Sequence, residues 1–187
     1  TPNANGIGSS SSMRGVNHDV NASGNNGTIQ YYLNDSPVSS NLILQAMYDI
    51  GQIEVLRGPQ GTLRGRATPS GSITVSLRKP DLSQVGATLS GTAGSHGVRN
   101  VQGAINLPVI ADRLAVRLAG LYDINRGNRV SSLNSPIKPE RETQSLRASV
   151  RAEPFDFLRA GFIFQTLKAD ARQFDQMEST SLFNPAA

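Results

Sequence analysis

Between residues 85 and 165 the chain repeats segments of roughly ten residues in which apolar side chains alternate with polar or small ones, the period of two that makes strands with unlike faces. Val101, Gly103, Ile105 and Leu107 fall on one face, and Gln102, Ala104 and Asn106 on the other. Leu114, Val116, Leu118, Gly120 and Tyr122 oppose Ala115, Arg117, Ala119, Leu121 and Asp123. Leu146, Ala148, Val150 and Ala152 oppose Arg147, Ser149 and Arg151, and Leu158, Ala160, Phe162 and Phe164 oppose Arg159, Gly161, Ile163 and Gln165. A soluble sandwich alternates in the same way, so the period by itself leaves two architectures open. The connectors separate them. Residues 111–113 and 154–157 make short links, whereas residues 125–141 make a long polar one containing Pro136 and Pro139. Alternately short and long connections, strands of about 9 to 11 residues and aromatics near strand ends mark a transmembrane β-barrel, with short turns periplasmic and long loops outside. Ser95-His96-Gly97 then reads as a short first outer loop with a surface histidine, and Arg117, Arg147, Arg151 and Arg159 as lumen-facing.

Upstream, residues 52–80 read QIEVLRGPQGTLRGRATPSGSITVSLRKP. Ile53 and Val55, then Ile73, Val75 and Leu77, alternate with Glu54, Leu56, Thr74 and Ser76, the pattern of two half-buried strands. Gly58, Gly61, Gly65 and Gly71 supply positions of free backbone conformation between them, and Pro59 fixes its own φ. Glycine-rich turns can cradle phosphate, but here Arg66 and Ala67 follow Gly65 where a Walker loop has Lys and Ser or Thr, and no G-x-G-x-x-G occurs.

The same stretch resembles the signature of TonB-dependent outer-membrane receptors, which commonly reads VEVLRGPQGTLFGRNATGGAINIVTKKP. The likeness is long and gap-free; it departs at Arg64, where the family has an aromatic, and at Ser70-Gly71, where it has two glycines. The resemblance implies a mixed α+β plug domain ending at about residue 80, followed over residues 81–187 by the first antiparallel strands of a barrel of about 22 strands. It further implies uptake of a scarce ligand (siderophore, cobalamin, saccharide or another small molecule or metal chelate) across the outer membrane of a Gram-negative bacterium. TonB, with its inner-membrane energising complex, would drive that uptake, and outer-membrane lipid would surround the barrel. The signature residues carried over are Glu54, Arg57, Gly58, Pro59, Gly61, Gly65 and Gly71. Met13-Arg14-Gly15-Val16 resembles the family's IRG segment, and Arg14 and Arg57 are implied as a latch to barrel-wall glutamates. The resemblance implies no catalytic residue, metal site or cofactor.

Residues 1–27 are rich in Ser, Asn and Gly, a loop composition. His18-Asp19 reads as a solvated pair, since no third ligand or nucleophile stands at a recognisable spacing. Residues 28–38 predict a hairpin turning at Asn34-Asp35, where the family shows glycine in place of Asp35. Residues 40–50 place Leu42, Ile43, Ala46, Met47 and Ile50 at helical spacing, with Ser40 as N-cap and Gly51 as stop.

Composition removes other classes. Without cysteine there is no thiol catalysis, cysteine-ligated metal or disulfide. No apolar run approaches the roughly 20 residues of a membrane helix. The net charge of +4 raises nucleic acid as a partner, but the arginines lie singly, with little aromatic interleaving and no binding motif. The chain opens Thr1-Pro2-Asn3, without Met or a secretory leader, and is expected to be a piece of a longer receptor lacking the TonB box. A structural or adhesive cell-surface β-protein, suggested by the Ser/Asn/Gly-rich opening, is the competing class, and it leaves LRGPQG unexplained.

Overall fold

A computed structural model of the chain describes residues 11–13, 16–18, 29–39, 42–43, 47–59, 70–126 and 140–172. Eleven strands run in chain order through these residues: β1 (Ser11–Met13), β2 (Val16–His18), β3 (Ile29–Leu33), β4 (Ser36–Val38), β5 (Ile50–Arg57), β6 (Gly71–Leu77), β7 (Gly86–Ala93), β8 (Arg99–Ile110), β9 (Leu114–Asn125), β10 (Glu140–Phe155) and β11 (Leu158–Arg172). They form a small β1-β2 pair, a four-stranded sheet ordered β4-β3-β6-β5 and a five-stranded sheet ordered β11-β10-β9-β8-β7.

The four-stranded sheet is mixed. β3 runs parallel to β6, while β4 and β5 pair antiparallel to their neighbours. The hairpin expected at residues 28–38 is present, with Asn34 at φ 54. Asp35 has no positive φ, so the turn is not type I′, which needs two such residues. Asn34 then stitches the turn to β6: its N–H donates to Val75 O at 2.8 Å and its Oδ1 accepts from Leu77 N–H at 3.0 Å. Met13, Ile29, Tyr31, Ile43 and Val75 make an ordinary apolar core on one side of this sheet. β6 is buried because β3 and β5 flank it. β5, expected half-buried, is exposed along its length; with only β6 beside it, it is an edge strand.

The helix expected over residues 40–50 is corrected at its C-terminal end. Leu42 and Ile43 are helical; Ser40 lies outside the described residues, and Ser39 serves the start, its carbonyl accepting Ile43 N–H and its Oγ accepting Leu42 N–H. Ala46 lies outside the described residues. Met47 and Tyr48 are irregular, Asp49 turns the backbone at φ 50, and Ile50 and Gly51 already belong to β5. The apolar spacing at Met47 and Ile50 therefore reflects a chain leaving one element and entering a strand.

The five-stranded sheet is an antiparallel meander, each strand bonded to its sequence neighbours. Its strands outrun the expected length: β8 and β9 have 12 residues, β10 16 and β11 15. Alternation of burial is kept on the inner strands β8, β9 and β10, while the edge strands β7 and β11 are exposed along most of their length. On β8 and β9, Ala104, Asn106, Ala115, Arg117 and Ala119 are buried, while Val101, Ile105, Leu107 and Leu118 are exposed. On β10, Thr143, Ser145, Arg147 and Ser149 are buried, while Leu146 is 68% exposed. The polar and small face is thus inside and the large apolar face outside, the reverse of a water-soluble sheet. Residues 111–113 and 156–157 turn tightly, the first with Asp112 at φ 59. Phe155 and Phe157 stack beside the second turn, ring centroids 5.4 Å apart. The long polar connection lies mostly outside the described residues. No helix among the described residues is long and apolar enough to cross a membrane.

Candidate functional site at the seam between the sheets

The polar face of the meander meets the N-terminal sheet at the Tyr48-Asp49 turn. Asp and Asn tolerate left-handed backbone better than most residues, and Asp49 uses that tolerance to swing its carboxylate away from β5 and toward β9. Arg117, in the middle of β9, meets it with both edges of its fork: Nε donates to Oδ2 at 2.8 Å and Nη2 to Oδ1 at 2.5 Å. Both side chains are only 7% exposed. A planar guanidinium suits this two-bonded geometry, and a buried charge left without its partner costs about 3–5 kcal/mol. The Asp49 carbonyl also accepts Arg78 N–H at 3.2 Å, tying the turn to the strand that leaves the sheet.

Tyr48 enters the meander beside this pair and is 1% exposed. Its ring packs with Ala104 and Ala119, small residues that leave room for it, and with Leu121. Arg147 lies over the ring, its Cζ 4.3 Å from the centroid, and donates through Nη1 to the Tyr48 carbonyl at 3.2 Å. The Arg147 Nε donates to Gln165 Oε1 at 3.0 Å, and Gln165 Nε2 donates to Ser145 Oγ at 3.2 Å. Ser145 spends its one hydroxyl proton on Thr166 O at 2.7 Å, so Tyr48 OH is the donor in the 2.8 Å bond to Ser145 Oγ. The network ties Tyr48 to β10 and β11 through buried or partly buried polar groups, as burial requires.

A second contact fastens the connection between the sheets. The Pro80 carbonyl accepts Arg151 Nη1 at 3.4 Å. Asn106 accepts Asp81 N–H at 2.9 Å and donates to Asp81 O and Gln84 O at 3.0 and 2.7 Å. Asp81 Oδ1 in turn accepts the Ser83 hydroxyl and the Ser83 and Gln84 N–H groups. These bonds, the Ser83 hydroxyl first, hold the Asp81 carboxyl below its ordinary pKa. Asp112 N–H donates to Leu82 O, so the connection is pinned to the β8–β9 turn as well.

Of the residues singled out from the sequence, Arg14, Gly15, Gly61 and Gly65 lie outside the described residues. Met13, next to Arg14, has its sulfur where a Cβ on Gly71 would sit, 2.7 Å away. Glu54 is exposed and accepts Gln52 Nε2 at 2.9 Å. Arg57 is exposed at the end of β5, opposite Gly71, and makes no ion pair among the described residues. Gly58, at φ 101, donates to Ser70 O at 3.0 Å, and Pro59 beside it is exposed. Gly71 stands at φ 138, and a Cβ there would strike the Leu56 carbonyl. Arg117, Arg147 and Arg151 project from the polar face of the meander toward the N-terminal sheet. Arg159 shares that face by register and reaches Glu153 at 3.8 Å. Tyr48, Asp49, Ser145 and Gln165 were not among the expected site residues. An Asp in an apolar stretch directly before a strand is the one local signal that pointed to them. No group of three or more metal-ligating side chains occurs among the described residues.

No family model matches the chain. Among curated proteins it is 32% identical over 75 residues to the pesticin receptor of Yersinia pestis, covering 40% of this chain and 11% of that receptor. It is 33% identical over 97 residues to the catecholate siderophore receptor Fiu of Escherichia coli K12, covering 46% of this chain and 12% of that receptor. Among solved structures, the ferric yersiniabactin uptake receptor FyuA of Yersinia pestis superposes with a TM-score of 0.75 at 23% identity, over 88% of this chain and 26% of that one. The ferripyoverdine receptor of Pseudomonas aeruginosa gives 0.59 at 16% identity, over 86% and 21%. The structural likeness carries the fold, and the sequence likeness carries descent. The relatives are TonB-dependent outer-membrane receptors, and over the stretches matched the chain is similar to them in sequence and shares their fold. It spans about an eighth of the length of the curated relatives it matches.

Proposed function

We propose that residues 1–80 are the end of a plug domain and residues 81–187 the first strands of the transmembrane barrel, about 22 strands in all, that encloses it. In this reading the complete receptor takes up a ferric siderophore or chemically similar chelate, driven by TonB and its inner-membrane energising complex. The observation that carries it is the inside-out meander with a second sheet docked on its polar face: apolar side chains turn outward, and Arg117 grips Asp49 on the inside. A lipid-facing wall around an internal domain has that distribution, and a soluble or adhesive sandwich does not. The relatives named above for siderophores and ferric chelates favour that ligand class over cobalamin or saccharide.

The latch between plug and wall is assigned to Asp49–Arg117 and the Tyr48–Arg147 stack, with Arg14 and Arg57 as further latch candidates toward wall glutamates. Gly58 and Gly71 serve backbone geometry. The test is growth of a strain lacking the full-length receptor, with the gene restored or not, on ferric siderophores under iron limitation, on cobalamin and on glycans. Restoration only on a ferric chelate is the expected result. Equal growth with and without the gene on every source sinks the transport reading.

A further inference from the structure

Where the Asn34-Asp35 turn and residues 76–80 face β10 and β11, a cavity of about 450 Å³ remains between the two sheets. Arg78, Lys79, Arg151 and Arg159 line it against Asp35 and Glu153, four cations to two carboxylates. Glu153 is already engaged: Oε1 accepts Arg151 Nε at 3.0 Å and Nη2 at 2.7 Å, and Oε2 stands 3.8 Å from Arg159 Nε. Arg78 and Lys79 are exposed and make no ion pair among the described residues. The cavity therefore offers two uncompensated cations beside two that are partly neutralised.

Its position along the barrel axis follows from the turns. Arg159 comes two residues after the tight turn at 156–157, and the 80–84 connection is bonded to the β8–β9 turn. Short turns mark the periplasmic end of an outer-membrane barrel, so the cavity lies between the two sheets toward that end. Its volume is toward the small end for ligand sites, suited to one anionic arm of a chelate.

We propose that this cavity is an exit-side anion site, taking carboxylate or catecholate oxygens of an anionic ferric chelate as it leaves toward the periplasm. The inference rests on the uptake reading above. Arginine and lysine donors recognise such oxyanions through charge-assisted hydrogen bonds. Glu153 limits the hold, since the guanidiniums of Arg151 and Arg159 already share its charge, and an exit site must bind weakly enough to release.

The test uses the full-length receptor in detergent, both ends open to solvent, with iron(III) tris(2,3-dihydroxybenzoate) as the probe in equilibrium dialysis. The wild type is expected to show a weak, salt-sensitive class of binding. Arg78→Ala with Lys79→Ala should weaken that class about threefold, and Arg78→Glu with Lys79→Glu about tenfold or more. Arg78→Lys with Lys79→Arg should restore it. Heat-modifiability on gels checks folding, and Arg159→Gln gives an independent reading should the charge reversal fail to fold. A weak class with wild-type affinity in the variants, or none in the wild type, overturns the site while leaving uptake standing if cells still import labelled iron. A wild-type receptor that imports none overturns both.

Discussion

The two sheets of this chain solve burial in opposite senses. The N-terminal sheet gathers Met13, Ile29, Tyr31, Ile43 and Val75 into an internal core. The meander keeps Arg117, Thr143, Ser145, Arg147 and Ser149 inside and turns Leu89, Leu146, Phe162 and Phe164 outward. One chain with one composition supplies both, so composition cannot account for the difference. The medium proposed for each face can: in the barrel reading, water and protein surround the first sheet, and the second divides a polar interior from hydrocarbon.

The comparison is broken most severely at the seam. In the full-length receptor Asp49→Ala strands Arg117 in a buried site and should cost about 3–5 kcal/mol of docking between the two sheets, seen, if the N-terminal sheet is the proposed plug, as its faster proteolysis and leakage of large antibiotics. Adding Arg117→Met to Asp49→Ala should recover much of the loss, because the uncompensated charge goes with it. Equal leakage in the single and double variants would remove the ion pair as the latch.

The contrast of faces is tested next. Leu118→Arg puts a charge on the outward side of β9 and should lower the folded, heat-modifiable receptor in the membrane by about 2–4 kcal/mol. Gln102→Arg, on the inward face of β8, should leave it unchanged. Ala119→Arg is not a fair control, because Ala119 packs against Tyr48 and the longer side chain would push the turn out. If Gln102→Arg and Leu118→Arg are equally tolerated, neither face meets lipid.

A smaller effect is expected within the N-terminal sheet. Gly71→Ala forces a side chain onto φ 138 and against the Leu56 carbonyl, and should cost on the order of 1–3 kcal/mol. Gly58→Ala, with no atom of the described residues within 4 Å of its Cβ position, should cost less despite φ 101. The same ranking in protease resistance of the N-terminal sheet checks it, and a reversed ranking would show that backbone conformation and not space decides.

The smallest effect concerns the connection between the sheets. Asp81 has a lowered pKa when folded, so its contribution is present above the ordinary carboxylate value and fades as pH falls through the lowered one. Asp81→Asn should remove that acid-side dependence and lower stability at neutral pH slightly, since the carboxylate is exposed. Thermal melts of the two proteins across the acid range should converge only at the lowest pH, and parallel curves throughout would deny the linkage.

The alternation of the meander was legible because a period of two survives any change in strand length, and Arg117 and Arg147 could be placed on the inner face by counting alone. Their partners could not. Asp49 lies 68 residues from Arg117 and Tyr48 99 from Arg147 by the bonds they make, and no local pattern records such a meeting. The residues at 47–50 were also misread as helix, since apolar residues at 43, 47 and 50 satisfy a helical period whether or not the chain turns out at Asp49. Strand length escaped for a related reason: Glu142, Gln144, Lys168 and Asp170 keep the register while abandoning hydrophobicity, so a pattern keyed to apolar residues stops short of the true end.

That overshoot has a use as a depth gauge. On β10 the outward face is apolar from Leu146 to Phe155, about ten residues, which at roughly 3.4 Å each and a tilt near 40° rises about 25 Å, the height of the apolar band. Above Leu146 the paired strands continue from residues 140 to 145 and from 167 to 172, adding roughly 15 Å on the same arithmetic. Glu140, Arg141, Glu142, Lys168, Asp170 and Arg172 therefore ride on paired strand that continues past the apolar stretch, and in the proposed barrel they stand clear of the hydrocarbon, at the level of the outer leaflet's phosphates and sugars. On that reading, whatever enters from outside meets hydrogen-bonded sheet before it reaches the plane of the lipid tails, because the height of the wall at β10 and β11 is set by strand length.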